Sequence, residues 1–478
     1  MSMGYLLAWL LPWATGTGIC LALNRGRRRP GDLAAALGAG FLLGILLAGG
    51  LAGFVAPKKT AEAFARTAPW LAGIGMLAWA AAIAFRERAV MAGVAPMRAG
   101  WRLLWLLLLA AILLRLDILA SEALLRPTFP WDAWSAWSVK PKSWYLLGHY
   151  APYVSMQQWL ADPDLAVRTA AIWDYPELLA WIEIWFASAA GSWNEPMINV
   201  VWTGVLGAIG LASYGQWRAL GVYPGLAMLL AYGLLSLPLL DAHAALAGYA
   251  DIWLAASFGL AVLGWLRWLR HGERGQLALA WMFALSMPMI KLEGAVWLIV
   301  FASVTLLGVL QRRLRWLLVA ATLALAAILV ALGGFRLPIL GLGWIHVAWG
   351  ELVIPALGTL ELHWRSVGSA MLSGMLTLPN WHLLWYLVPV VIIMRWQVFR
   401  ADRLARSLGA LLGLCAAFLF VLFFFTDASA WAENYTSANR LILHVVPVMF
   451  SLLAVLLADL RLSPADRVPA SAAPSDPG

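Results

Sequence analysis

Thirteen stretches of nearly unbroken apolar residues decide what this chain can fold into. A helix needs about 20 apolar residues to cross the hydrocarbon core of a bilayer. Within that core every backbone N–H and C=O must be paired inside the chain, which favours helices. The stretches are Tyr5–Leu23, Leu33–Ala56, Pro69–Phe85, Leu103–Ser121, Met197–Trp217, Tyr223–Leu240, Ile252–Leu266, Gln276–Ile290, Ala295–Leu310, Trp316–Gly333, Leu383–Met394, Leu408–Phe425 and Leu441–Ala458. Charged residues are 12% of the 478 and the mean hydropathy is +0.80. Soluble domains carry roughly twice that charged share. The sequence therefore predicts an all-α polytopic membrane protein with about 13 transmembrane helices.

The first run has no basic segment before it and no small-residue cleavage site, so it reads as a retained helix and not a signal peptide. Both cysteines, Cys20 and Cys415, fall inside apolar runs. That placement argues against a disulfide framework, a zinc site and a thiol nucleophile. The net charge of +9 is not taken as a sign of nucleic acid, because surplus arginine on a membrane chain marks cytoplasmic loops. Most of the 30 tryptophans fit an interfacial aromatic belt. No Walker glycine loop, HExxH or GxSxG occurs, so ATP-driven pumping, zinc proteolysis and serine hydrolysis lack their signatures.

Charge also sets an expected sidedness. Pro176–Ser192 is amphipathic, carries Glu177 and Glu183, and reads either as a further crossing or as a helix on one surface. If it does not cross, 21 of the 33 basic residues fall in loops on one side, among them Arg29, Arg218, Arg267, Arg270, Arg274, Arg395 and Arg403. That bias defines the cytoplasmic side. The segment is then an outer-face amphipathic helix, with the amino terminus outside and the carboxyl tail inside. The expected organisation is a three-helix extension with a cytoplasmic loop (1–102), a membrane core (103–460) with large outer loops 122–196 and 334–382, and a disordered tail (461–478).

The unusual polar residues then gather on the outer face. Phe129–Tyr145 holds Asp132, Lys140, Lys142 and four tryptophans. Asp174 precedes Tyr175-Pro176-Glu177, the turn His243–Asp251 ends one helix pair, and Lys291-Leu-Glu293 ends the next. Glu433 and Arg440 precede the last apolar run, with His444 a turn inside it. Ionisable groups at membrane depth need water or a partner, so these helix ends read as the rim of one cavity. Plainer explanations stand beside this one: a Lys291–Glu293 salt bridge, Asp251 as a helix cap, Lys140 and Lys142 as anchors to anionic headgroups. Asp162-Pro-Asp164 reads as a turn in preference to a metal-binding pair. Arg115 and Asp117, two residues apart on one helix, do not face each other and are each expected to find a partner elsewhere.

Four local patterns, taken in order, resemble the GT-C superfamily of membrane glycosyltransferases, in particular its dolichyl-phosphate-mannose-transferase-like and lipid A aminoarabinose-transferase-like branch. These are Trp131-Asp132-Ala133 after the first core helix, the proline-bearing Tyr175-Pro176-Glu177-Leu178, the outer turn Gly248-Tyr249-Ala250-Asp251, and a last helix opening with Arg440 and containing Pro447. The resemblance covers roughly 103–458. The chain departs from the family in its three preceding helices and in lacking a paired acid at Asp132.

The resemblance implies a GT-C-like core in a bacterial inner membrane, with the site on the periplasmic face. It implies transfer of a sugar from a polyprenyl-phosphate carrier to a cell-envelope acceptor, usually with inversion. Asp132 is the candidate base for the acceptor hydroxyl. Lys140, Lys142, Lys291 and Arg440 are candidates for the leaving phosphate. Trp131, Trp134 and Trp137, spaced to share a helical face, and Asp174, Tyr175, Glu177, His243, Asp251, Glu293, Glu433 and His444 complete the expected substrate rim. No metal or other cofactor is expected, a divalent cation being the less favoured option. The expected partners are the lipid-linked sugar, membrane lipid and an envelope acceptor. A lipid-linked-sugar flippase and a catalytically silent assembly protein are the competing readings.

Overall fold

The computed structural model describes residues 2–24, 29–84, 97–162, 166–309, 334–339, 343–348, 350–354 and 358–458, with isolated helical positions between 310 and 333. Helices α1 (Met3–Leu23), α2 (Asp32–Val55), α3 (Ala63–Ala84) and α4 (Ala99–Leu125) lead into a polar segment containing the short helices α5 (Val139–Leu147) and α6 (Met156–Leu160). Next come α7 (Leu178–Ala190), α8 (Glu195–Ala219), α9 (Pro224–Leu235), α10 (Pro238–Ala245), α11 (Asp251–His271), α12 (Arg274–Ile290) and α13 (Glu293–Val309). Beyond strands β1–β4, the chain ends in α14 (Gly368–Leu376), α15 (Leu384–Met394), α16 (Trp396–Ala401), α17 (Arg403–Phe425), α18 (Ser429–Glu433), α19 (Ser437–Leu443) and α20 (Val446–Leu457).

This is a helical, multi-pass membrane protein. Among the described residues, α1, α2, α3 with its leading turn, α4, α8, α11 and α17 are long and apolar enough to span, and two bent pairs raise the count from 7 to 9. Proline explains both bends. Pro238 and Pro447 lack the N–H that would continue the α9 and α19 ladders, and the pairs α9/α10 and α19/α20 turn by 61° and 41°. The expected thirteen spans are therefore not reached here: α13 and α15 are apolar but short, and α12 has 17 residues. The run Trp316–Gly333, the tail 461–478 and Asp164 lie outside the described residues or are represented only by isolated positions.

Glycine lets the first helices approach closely. A Cβ on Gly16 or Gly40 would overlap the other helix of the α1–α2 pair, and one on Gly38 or Gly215 would overlap the α2–α8 contact. Small residues at such crossings are how membrane helices gain packing without a hydrophobic driving force. The main apolar core takes in buried residues from Tyr5 to Leu456, and a second, smaller cluster gathers around Trp144, Trp181 and Ile184.

The segment 176–192 corrects the amphipathic reading. In α7 nearly every residue is buried, including Glu183. Its start packs on Gly49 and Gly53 of α2. Its far end meets the beginning of α1, where Ser2 Oγ donates to Ala189 O, 3.3 Å, and of α3, where Phe64 N donates to Ser188 Oγ, 2.9 Å. These neighbours all belong to one end of the bundle, so α7 plugs that end and does not cross.

The 334–382 interval adds the one sheet among the described residues. Strands β1 (Gly334–Ile339), β2 (Gly343–Ala348), β3 (Glu351–Ile354) and β4 (Gly358–Glu361) form an antiparallel meander in the order 1-2-3-4. The all-α expectation is amended to that extent. Alternating and β-branched residues such as Trp344-Ile-His-Val347 and Leu352-Val-Ile354 suit a pleated strand. Among the described residues eight tryptophans, for example Trp144, Trp202 and Trp297, are fully buried, so the belt does not account for those eight.

Candidate functional site

The site grows from the first residue of α11. Asp251 has a side chain 0% exposed, and a buried carboxylate needs compensating charge and hydrogen bonds. Lys291, at the end of α12, donates to Asp251 Oδ1 at 2.8 Å. Arg440, on α19, reaches Oδ2 through Nε and Nη2, each at 2.9 Å. His444 Nε2 lies 3.0 Å from Oδ1. An indole N–H only donates, and Trp297 Nε1 lies 3.0 Å from His444 Nδ1. His444 is therefore held as the neutral tautomer with its proton on Nε2, donating to Asp251.

The network reaches outward through Arg440. Its Nη1 donates to Asp132 Oδ2 at 2.6 Å, and its guanidinium lies 4.4 Å from the ring centre of Tyr249, a cation–π contact. Asp132 is 46% exposed, and its Oδ1 has no bonded partner among the described residues. Lys291 also pairs with Glu293 at 3.0 Å, leaving Glu293 Oε2 buried without a bond. His243 Nδ1 donates to Leu239 O at 2.8 Å, so Nε2 is left facing Asp251 Oδ2 at 3.8 Å without a bond. With both histidines neutral, three carboxylates face two cations.

Asp132 is held by its backbone. It opens a π-helical turn, Ala133–Trp137, closed by Ser138 N donating to Ala133 O at 2.7 Å. Single π turns recur at functional sites because they re-aim a side chain. The wider turn also overturns the shared tryptophan face. Trp131 and Trp134 are exposed and pack edge-to-face at 5.0 Å, whereas Trp137 is buried against Tyr175 at 5.2 Å. Gly248, at φ +108°, lies against Ala133 where a Cβ would overlap it, which lets the Tyr249–Asp251 turn dock beneath Asp132. Glu195 clips the segment on both sides. Its Oε2 accepts from Thr128 N at 3.0 Å and its Oε1 from Lys142 Nζ at 2.7 Å. Ser138 Oγ donates to the buried Glu183 at 3.0 Å.

The remaining expected residues divide clearly. Lys140 is buried and donates to the carbonyls of Trp173 and Tyr175 at 2.9 and 3.0 Å. Burial lowers its pKa, opposed by Glu177 and Asp174. Lys142 is committed to Glu195, so neither lysine joins the Asp251 network. Tyr175 is close enough to feel it: burial first, then Glu293, push its phenol up to about 12, against the pull of Lys291. Glu177 accepts from Tyr150 Oη at 3.1 Å, and burial raises its pKa. Asp174 and Glu433 are exposed with no hydrogen-bonded partner among the described residues.

Elsewhere, Asp162 Oδ2 accepts from Val167 N at 3.0 Å, in keeping with a turn. Arg115 pairs with Asp241 and donates to Ser236 O at the α9/α10 break, whereas Asp117 is exposed without a bonded partner among the described residues. The Lys291–Glu293 bridge exists, but as one arm of the larger network.

Sequence reasoning missed Tyr249 and Glu195. Tyr249 lies two residues from Asp251 in a turn already singled out. Glu195 carried no signal, because its role depends on meeting residues about sixty positions away. No family model, no curated protein and no solved structure matches this chain.

Proposed function

We propose that this chain is an integral-membrane glycosyltransferase that moves a sugar from a polyprenyl-phosphate donor to a cell-envelope acceptor at the outer face of a bacterial inner membrane, on a GT-C-like core. One observation carries the reading. Asp132, Asp251, Lys291 and Arg440, brought together from four separate segments, form one continuous ion network in which the half-exposed Asp132 has an oxygen without a bonded partner among the described residues. Asp132 accepts the acceptor hydroxyl's proton as that oxygen attacks the anomeric carbon. The bond from carbon to phosphate oxygen breaks, and the electron pair leaves with the polyprenyl phosphate. Asp132 then passes its proton to solvent. Arg440 and Lys291 neutralise the phosphate as its charge grows. Lys140 and Lys142, bound elsewhere, are dropped from this role.

An apolar groove of about 640 Å³, lined by Met371, Trp385, Leu419, Ile442, Val445 and Met449 among others, runs beside the helix that carries Arg440. It suits a prenyl chain entering sideways from the bilayer. The chemistry is assigned to side chains alone.

The two broken spans favour a second reading, a transporter for the same lipid-linked sugar, because discontinuous helices are a transporter feature. Reconstitution in lipid vesicles with a labelled polyprenyl-phosphate sugar separates them. Transfer that falls at least about 100-fold in Asp132→Asn supports the enzyme. Translocation of the intact lipid-linked sugar, unaffected by that substitution, supports the transporter. Mass spectrometry of envelope glycans from a strain lacking the protein then identifies the sugar.

A further inference from the structure

In the structure both site cations are already occupied by carboxylates. Asp251 holds the Nε/Nη2 edge of Arg440, Asp132 holds Nη1, and Tyr249 covers one face. Lys291 is shared between Asp251 and Glu293. A phosphoryl group therefore has to displace a carboxylate, because three acids already face two cations and a further anion would be repelled.

The two candidates for displacement differ. Asp251 is 0% exposed and is tied to Lys291, Arg440 and a histidine locked by Trp297. Asp132 is 46% exposed and, among the described residues, has the single partner Arg440. The segment that carries it is held on both sides, at the Thr128 N–H by Glu195 and at the Ser138 hydroxyl by Glu183. Exchange thus needs rotation of one side chain and no loop opening.

We propose that Asp132 is a displaceable latch on Arg440, and that a phosphoryl oxyanion takes its place. The inference rests on the transferase reading and adds an order to it. While latched, Asp132 has Oδ2 engaged by Arg440 Nη1 at 2.6 Å, which holds the side chain against the arginine. Once the donor phosphate holds Arg440, Asp132 swings free and both its oxygens are available to the acceptor hydroxyl. Activation of the acceptor is thereby tied to the donor being in place.

The test is binding of farnesyl phosphate, and separately of inorganic phosphate, to the full-length protein in lipid nanodiscs by calorimetry. Asp132→Asn and Asp132→Ala are each expected to bind farnesyl phosphate about tenfold more tightly than the native protein, the loss of a competing charge-assisted hydrogen bond. Arg440→Gln is expected to lose that gain when combined with Asp132→Ala. Tightening for both probes locates the exchange in the phosphate itself. Tightening for farnesyl phosphate alone supports the latch with the tail needed to seat the head. Unchanged or weaker binding in both Asp132 variants overturns it. Tighter binding in a protein that transfers no sugar would keep the latch and sink the transferase; transfer without tightening would do the reverse.

Discussion

The two ends of α11 hold two buried ion networks built from the same side-chain types. At one end is the Asp251 cluster. At the other, roughly 24 Å away by helical rise, Arg267 is fully buried between Asp32 at 2.7 Å and Glu273 at 2.5 Å, with Arg29 on Glu273 at 2.7 Å. Gln216 accepts from Arg267 at 3.4 Å and donates to Gln276 at 3.1 Å. Among the described residues, the Arg267 cluster sets two cations against two carboxylates and ties α2, α8, α11 and α12 together. The Asp251 cluster has one carboxylate in excess and ends in a half-exposed Asp132. A balanced network around a fully buried arginine is suited to holding helices, whereas one with a carboxylate in excess and a half-exposed edge can exchange a partner.

Substitutions at the two ends are expected to separate along that line. The largest effect is on rate: Asp132→Asn should reduce sugar transfer by about 10²- to 10⁴-fold while shifting unfolding by at most about 1 kcal/mol, since a partly exposed pair contributes little. Transfer near the native rate would erase the distinction between the ends. The next is on stability: Arg267→Met leaves two buried carboxylates short of a partner and should cost about 3–5 kcal/mol in detergent unfolding, with transfer per folded molecule unchanged. A variant as stable as the native protein would show that this end is not a clasp.

Smaller effects refine the open end. Glu195→Gln weakens the Lys142 pair and the hold on Thr128, costing about 1–3 kcal/mol, and should speed amide exchange across 128–142. Exchange at the native rate would mean the π turn needs no clip. The smallest effect concerns Tyr175. Its folded pKa is raised from 10.0 to about 12, so the fold favours the neutral phenol. That contribution is present below about pH 10 and fades as pH rises through about 12. Ultraviolet titration should show a late-ionising phenol that Tyr175→Phe removes; Tyr150, also raised to about 12, remains as the internal reference.

Much of the fold was readable because lipid imposes a simple code. Every apolar run expected from sequence coincides with a helix or bent helix pair, save Trp316–Gly333 outside the described residues. The separation of loops held as well: Arg29, Arg267 and Arg270 share one end, Arg270 lying 3.5 Å from Asp402, while Asp132, Asp251 and Arg440 share the other. Misreadings came where backbone geometry changes the period. Three tryptophans at a spacing of three share a face on an α-helix, but a π turn sends Trp137 inward and leaves Trp131 and Trp134 outside. Glu177 and Glu183 made 176–192 look amphipathic, yet both are sheltered by protein, one by Tyr150 and one by Ser138.

The sequence by itself determined that the chain crosses a membrane repeatedly, where its helices run, and that its scarce acids and bases cluster at helix ends. Those properties follow from the cost of placing polar groups in hydrocarbon, a cost paid residue by residue. Only the tertiary structure decided which charges pair. Lys140 and Lys142 sit ten or fewer residues from Asp132, yet Arg440, three hundred positions on, is its partner. An ion pair is settled by distances of about 3 Å between side-chain tips, and those distances are set by helix packing that no local stretch encodes.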